Sequence, residues 1–98
     1  VNNLLFFHLA YLLDSGQIPN YQSSMQKLFG TEAAQRVANM GMEILGLFSQ
    51  LKKGSKYATL AGKVERFYRT SVVETIYAGT SEIQRSIIAR RGLELPGK

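Results

Sequence analysis

The stretch "MQKLFGTEAAQRVANMGMEILG", residues 25–46, has the period of a long helix. Its apolar positions recur every three or four residues, and the same spacing continues beyond the stretch towards residue 51. These positions are Met25, Leu28, Phe29, Val37, Met40, Ile44, Leu47 and Leu51. They predict one helix from about Asn20 to about Leu51.

Small residues form a second stripe beside the apolar one: Gly30, Ala34, Ala38 and Gly41. Gly30 and Gly41 are separated by about three helical turns, so they share one face of the helix. Glycine inside a helix costs about 1 kcal/mol relative to alanine. A stripe of such residues therefore favours a place where another helix packs closely, as in a helical bundle.

Two more helices flank this one. Residues 4–13 are apolar nearly all round, which is typical of a helix buried on several sides, and His8 is expected to be packed and neutral there. Asp14-Ser15-Gly16 ends this first helix. Residues 52–62 are rich in glycine and lysine and are interpreted as a loop, and a third helix is predicted from about Lys63 to near Thr75.

A fourth helix is predicted to begin at Thr80-Ser81. Ser81 as N-cap and Gln84 three positions later fit a capping box. The expected buried face consists of Ile83, Ile87 and Ile88, and residues 93–98 are interpreted as a tail. No segment alternates with the period of a strand. The predicted fold class is all-α, an up-down helical bundle.

Length and composition restrict the possible sites. The 98 residues are enough for a single domain, predicted over residues 1–98. The chain has no cysteine and one histidine, so no metal site is expected, and its longest apolar run is too short for a membrane span. Val1 leads into an apolar helical pattern without a capping signal. This start is interpreted as a fragment of a longer protein whose first helix is truncated.

The chain is basic, with 12 Lys and Arg against 7 Asp and Glu and a formal charge of +5. Half of the cations form a basic cluster: Lys52, Lys53, Lys56, Lys63, Arg66 and Arg69. Such a cluster attracts phosphate groups, whether of a nucleotide, a coenzyme or a nucleic acid. A solvated loop and helix face explains it equally well, and both interpretations stay open.

The stretch "IYAGTSEIQR", residues 76–85, places Gly79 directly before a helix start. The backbone N–H groups of Thr80, Ser81 and Glu82 are then free for an oxygen-rich ligand. Most glycine turns before helices are only structural. The residues alone therefore predict a helical bundle with a candidate phosphate or carbonyl site.

Two segments carry a more specific resemblance. "VERFYRTSVVETIYAGTSEIQRSIIARRGL", residues 64–93, resembles the carboxy-terminal signature of the acyl-CoA dehydrogenase family, and residues 25–46 resemble the long helix that precedes it. The resemblance implies a three-domain flavoprotein, with this chain forming most of the last helical bundle. Members of that family oxidise an acyl-CoA thioester to its α,β-unsaturated product. A carboxylate removes the α-proton, and the β-hydrogen passes to FAD as hydride.

The resemblance also assigns candidate site residues. Ala78 occupies the place where many members carry the catalytic glutamate, and Tyr77 and Gly79 are expected beside the substrate. The expected FAD contacts are Thr80, Glu82, Glu43, Gly46 and Leu47, the last three in a stretch that reaches the adenosine half of FAD across a subunit interface. Leu47 replaces a glycine of the family pattern.

No catalytic residue is expected in this chain, because Ala78 can neither donate nor accept a proton. Branched-chain and long-chain members supply the base from an earlier helix, which here is expected upstream of Val1. Glu74, one helical turn before Ala78, is a weaker rival and is expected to face solvent.

The predicted function is therefore that of the carboxy-terminal domain of an FAD-dependent acyl-CoA dehydrogenase, inactive in isolation. Its expected partners are acyl-CoA, an electron-transfer flavoprotein or similar acceptor, and further copies of itself in a dimer or tetramer. The expected location is a bacterial cytoplasm. A non-catalytic helical subunit or interaction module is the alternative. A DNA-binding relative is disfavoured, because the chain lacks an aromatic platform for stacking bases.

Overall fold

Helices are the only regular elements in residues 1–97, the part of the chain that the computed structural model describes. The α-helices are α1 (Asn2–Asp14), α2 (Tyr21–Leu45), α3 (Lys63–Glu74) and α4 (Ser81–Ile87). Short 3₁₀ segments cover Gly46–Gln50 and Thr59–Gly62, and a π-helical turn covers Ile88–Gly92. The predicted all-α class is confirmed. Lys98, the end of the predicted tail, lies outside the described residues.

The chain divides into two units by its internal contacts. The first unit consists of residues 1–30 together with the chain from Ala78 onward, and the second consists of residues 31–77. Helix α2 contributes its first turns to one unit and its remainder to the other. The single domain expected over residues 1–98 stays a prediction.

In the first unit, α1 packs on the start of α2 through small and polar groups. A Cβ atom on Gly30 would lie 3.0 Å from Oδ1 of Asn2, and Gln26 donates a hydrogen bond to the same oxygen over 3.3 Å. The glycine therefore permits the close approach that the small-residue stripe predicted.

The expectation that α1 is buried on several sides is wrong. Leu12 is its only buried residue, at 8% exposure, while Leu4, Phe7 and Tyr11 are exposed. His8 is exposed as well, so it is not the packed histidine expected from its apolar neighbours. The apolar sequence of α1 shows which side chains could be buried. In this unit, however, the neighbouring segments cover only the side of α1 that carries Leu12.

In the second unit, α2 ends at Leu45, six residues before the predicted end at about Leu51. Gly46 adopts φ +57°, a left-handed conformation that interrupts the helical path. The following 3₁₀ turn is closed by Ser49, whose hydroxyl donates to the Gly46 carbonyl over 2.6 Å. The apolar period continues to Leu47, so the spacing of apolar residues alone does not indicate that the helix ends at Leu45.

The small-residue stripe has its second contact in this unit. Ala38 is 1% exposed, and a Cβ atom on Gly41 would lie 3.1 Å from Cγ1 of Val64 on α3. The stripe on α2 thus accommodates a neighbouring helix at both ends, as predicted. A larger residue at position 41 would require the Val64 side chain to move.

The segment predicted as a loop, residues 52–62, ends in a 3₁₀ turn with three successive left-handed residues. Leu60, Ala61 and Gly62 have φ values of 52°, 54° and 72°. Gly62 is buried and is the N-cap of α3. The turn therefore brings residues 51–53 against the start of α3.

Gly62→Ala is expected to destabilise the protein by about 2–3 kcal/mol. The added Cβ would lie 2.5 Å from the Lys53 nitrogen and 2.8 Å from the Lys52 carbonyl carbon, and neither backbone atom can swing aside. Urea denaturation of the purified protein measures the loss. Gly54→Ala is the matched control, because its φ is +100° with nothing within 4 Å of the new atom. It should cost only about 1 kcal/mol. Equal losses at both positions would contradict the packing argument.

Candidate functional site

The turn between α3 and α4 has an unusual backbone. After α3 ends at Glu74, the N–H groups of Ile76 and Tyr77 both donate to the Val73 carbonyl over 3.0 Å. Ala78 and Gly79 then follow with φ values of 53° and 95°. A left-handed alanine costs about 1 kcal/mol or more, so the turn keeps this conformation only where other contacts maintain it.

Thr80, and not Ser81, is the N-cap of α4. Its φ and ψ of −61° and 160° are extended, and its side-chain oxygen accepts a hydrogen bond from the Ile83 N–H over 3.3 Å. The predicted capping box of Ser81 and Gln84 is therefore wrong by one residue. The Ser81 hydroxyl is instead buried without a hydrogen-bond partner among residues 1–97.

The buried face of α4 also differs from the expectation. Ser81 and Gln84 are its buried residues, at 7% exposure each, whereas Ile83 is exposed and Ile87 and Ile88 are half-buried. Gln84 is buried because it interacts with the turn that precedes α4. Gln84 extends back beneath it and donates from its side-chain nitrogen to the Ala78 carbonyl over 3.1 Å.

A second side chain reaches the same turn from α2. The ammonium group of Lys27 donates to the Gly79 carbonyl over 2.7 Å, across 52 residues of sequence. Sequence reasoning missed this contact and the role of Gln84. The available signal was a lysine next to Leu28 and Phe29, two positions of the apolar period of the long helix.

The turn presents unused backbone donors. The N–H groups of Ala78, Gly79 and Thr80 donate no hydrogen bond to another described residue. In a trans peptide, the N–H group points away from the preceding carbonyl. The carbonyls of Ala78 and Gly79 point to Gln84 and Lys27, so the next two N–H groups point the opposite way. Such donors suit a carbonyl or phosphate oxygen.

The other residues assigned to this end of the chain lie on either side of the turn. Tyr77 and Ala78 are exposed, and Glu82 is exposed in the first turn of α4. Glu74, the rival base, is half-buried and not fully exposed as expected, and it has no hydrogen bond or ion pair within the described chain.

The second unit holds the three remaining assigned residues. Glu43 and Gly46 line one open cavity of about 510 Å³ together with Asn39 and Tyr68. The space beside the Gly46 α-carbon is empty, because an added Cβ would meet nothing within 4 Å. Leu47 does not line this cavity and is 84% exposed. Its side chain therefore leaves the Gly46 backbone accessible.

The basic cluster lies in the second unit too. A cavity of about 440 Å³ is lined by Lys52, Lys53, Lys63, Arg66 and Arg69. Arg69 is already paired with Glu65 at 3.1 Å, and Lys56 lies over the Tyr57 ring, 5.5 Å from its centre. The cluster is thus partly engaged within the protein, which weakens the nucleic-acid interpretation.

Two further kinds of site were searched for in residues 1–97. No group of three or more His, Cys, Asp or Glu side chains there could hold a metal ion. No helix in the same range combines enough length and apolar character to cross a bilayer.

Comparison with known proteins identifies the family. The family model described as "Acyl-CoA dehydrogenase, C-terminal domain" matches residues 1–93. The chain belongs to the acyl-CoA dehydrogenase family. The resemblance carried by residues 25–46 and 64–93 is therefore confirmed, and the turn at Ala78-Gly79 lies within the matched part of the dehydrogenase domain.

Individual relatives within this acyl-CoA dehydrogenase family carry different names. The acyl-CoA dehydrogenase FadE26 of Mycobacterium tuberculosis is 41% identical over 85% of this chain and 20% of its own length. Subunit CarC of the caffeyl-CoA reductase–Etf complex of Acetobacterium woodii is 31% identical over 88% of this chain and 21% of its own. The family domain therefore occurs in relatives named for opposite reaction directions.

A solved structure has the same fold. A chain of the ChsE4–ChsE5 complex from Mycobacterium tuberculosis matches with a TM-score of 0.88 and 35% identity, covering 99% of this chain and 25% of that one. The chain spans between 20% and 25% of the length of these three proteins. The match confirms that this is the helical fold of an acyl-CoA dehydrogenase carboxy-terminal domain.

Proposed function

We propose that this chain is the carboxy-terminal domain of an FAD-dependent acyl-CoA dehydrogenase that desaturates an acyl-CoA thioester between its α and β carbons. The observation that carries the proposal is the Ala78-Gly79 turn. Its two carbonyls are bound by side chains, and its N–H groups are left free in the segment that resembles the family signature. A backbone of this energetic cost is explained where a ligand uses the free donors.

Each unit, taken by itself, offers groups that fit part of an FAD molecule. In the first unit, Thr80 and Glu82 offer polar groups beside the turn. In the second unit, Glu43 and Gly46 border an open cavity, and no side chain covers the Gly46 backbone. Leu47 does not obstruct that backbone, although it replaces a glycine of the family pattern. When bound, FAD supplies the acceptor for the β-hydrogen as hydride.

The chain's own part in the reaction is to hold the thioester. The α-proton of a thioester is weakly acidic, so hydrogen bonds to the thioester oxygen must lower the barrier to its removal. The free N–H groups of Gly79 and Thr80 are donors of the required kind. Ala78 itself transfers no proton, so the base is proposed on a helix upstream of Val1.

We propose two kinds of protein partner. An electron-transfer flavoprotein or a similar acceptor reoxidises the enzyme, in line with the relative named as part of an Etf complex. Other acyl-CoA dehydrogenase subunits, identical or related, cover apolar side chains that both units leave exposed. These side chains are Leu4, Phe7 and Tyr11 on α1 and Val37, Met40 and Ile44 on α2. The ChsE4–ChsE5 structure shows that a similar chain exists within a complex.

The full-length protein is expected to bind flavin and to reduce an artificial dye when given an acyl-CoA substrate. Flavin absorbance near 450 nm measures occupancy, and steady-state dye reduction with acyl chains of several lengths measures turnover. The control is the same protein with free coenzyme A, which has no α-proton to lose. An intact protein that binds neither flavin nor acyl-CoA would contradict the proposal. It would support the non-catalytic module instead, for which Ala78 and Leu47 are the favourable sequence features.

A further inference from the structure

Lys27 is an unusual residue for its position on α2. It is half-buried, and its ammonium group donates to the Gly79 carbonyl over 2.7 Å. A lysine on a helix normally extends its charge into water and keeps its side-chain freedom. Fixing the charge beside protein groups such as the Gly79 carbonyl reduces both its hydration and its rotamer entropy. A hydrogen bond from an ionised donor is strong enough to offset that loss.

Gln84 makes the companion contact. It is 7% exposed, and its side-chain nitrogen donates to the Ala78 carbonyl over 3.1 Å. The two acceptors are successive carbonyls, and both belong to left-handed residues. Neither contact is needed to start α4, because Thr80 already caps that helix.

The two contacts together fix two successive peptide planes. A peptide plane is rigid, so holding its carbonyl also sets the direction of its N–H group. Lys27 thereby orients the N–H of Thr80, and Gln84 orients the N–H of Gly79. Both N–H groups are unused by the described residues.

We propose that Lys27 and Gln84 are positioning residues that keep the turn's N–H groups aimed at a carbonyl oxygen of the bound ligand. The inference rests on the proposed function and deepens it. Two ligands present such an oxygen, the acyl thioester and the flavin ring. A thioester contact that strengthens as charge develops lowers kcat when it is misaligned, whereas a flavin contact lowers flavin retention.

The test uses the full-length protein with Lys27→Met, which keeps the length of the side chain but removes the donor. Losing a hydrogen bond to a charged group is expected to lower kcat by about 10- to 100-fold, with KM for acyl-CoA little changed. Lys27→Arg restores a charged donor and should recover most of kcat. Arg36→Met is the matched control, because it removes an exposed cation from the same helix. It should behave as wild type.

A second measurement does not depend on activity. Hydrogen exchange of the flavin-free protein reports the Ile83 and Gln84 amides, which bond to Thr80 directly after the turn. In Lys27→Met these amides should exchange about 10-fold faster or more, while the amides of α1 and α3 keep their wild-type rates. Gln84→Met repeats both measurements with the other contact removed, in case Lys27→Met does not fold.

The outcomes separate the two proposals. An inactive, flavin-free wild type with faster exchange in Lys27→Met contradicts the proposed function and both proposed ligands, but it shows that Lys27 fixes the turn. An active wild type in which Lys27→Met and Gln84→Met match Arg36→Met in both measurements overturns the positioning role. Faster exchange throughout the protein also overturns it, because that result shows a general loss of stability. Retained kcat with lost flavin identifies the flavin oxygen as the acceptor.

Discussion

Gly79→Ala is expected to lower kcat/KM of the full-length protein by about 30- to 1,000-fold, which corresponds to about 2–4 kcal/mol. Two effects add at this position. Gly79 has φ +95°, where a Cβ atom is strained, and that atom would lie 2.5 Å from the side-chain nitrogen of Gln84. Gln84 can move only by losing its hydrogen bond to the Ala78 carbonyl. The turn therefore changes its orientation, and its N–H groups no longer meet the ligand.

Gly16→Ala is the matched control for this variant. Gly16 lies in the same unit with φ +74°, but nothing lies within 4 Å of its added Cβ. It should lose about 1 kcal/mol of stability and keep its kinetic constants. Steady-state kinetics and thermal unfolding of both variants give the comparison. If Gly16→Ala and Gly79→Ala lower kcat/KM equally, the effect comes from general destabilisation and not from the turn.

The sequence predicts the helices well and their ends poorly. The apolar period identified most of the extent of α2, although Val37, Met40 and Ile44 are exposed, and the small-residue stripe identified its close contacts. The end of α2 was missed because Leu47 continues the period past the left-handed Gly46. The cap of α4 was misplaced because Thr80 and Ser81 are both good capping residues, and only the backbone angles distinguish them.

For the candidate site, too, the sequence predicted the residues that are adjacent along the chain but not the contacts between distant segments. The resemblance of residues 64–93 placed Ala78, Gly79 and Thr80 at one turn, since these residues are adjacent in sequence. It could not show that Lys27 reaches this turn, because 52 residues separate the two partners and the contact depends on how α2 packs. The exposure of His8 was unpredictable for a related reason. A sequence shows which surface is apolar but not how much of it the rest of the chain covers.

Replacing a carboxylate on the upstream helix by its amide should lower turnover by several orders of magnitude, while the flavin stays bound. Removal of the α-proton needs a base, and Ala78 offers none. Ala78→Gly should by contrast keep turnover within about tenfold, or about 1.4 kcal/mol, because the residue needs only to be small and to accept φ +53°. Dye reduction and the 450 nm absorbance separate loss of chemistry from loss of flavin.

Glu74→Gln is the control that locates the base. Glu74 ends α3 and is half-buried, without a hydrogen bond or ion pair within residues 1–97, so nothing there holds its carboxylate in one orientation. Its amide variant should retain turnover within about tenfold. Ala78→Glu, placed in the protein that lacks the upstream carboxylate, should regain part of the lost activity, since it returns a carboxylate to the position used by many family members. If Glu74→Gln alone abolishes dye reduction while every upstream variant stays active, the base belongs to α3, and this domain supplies the proton acceptor as well as the donors that hold the thioester.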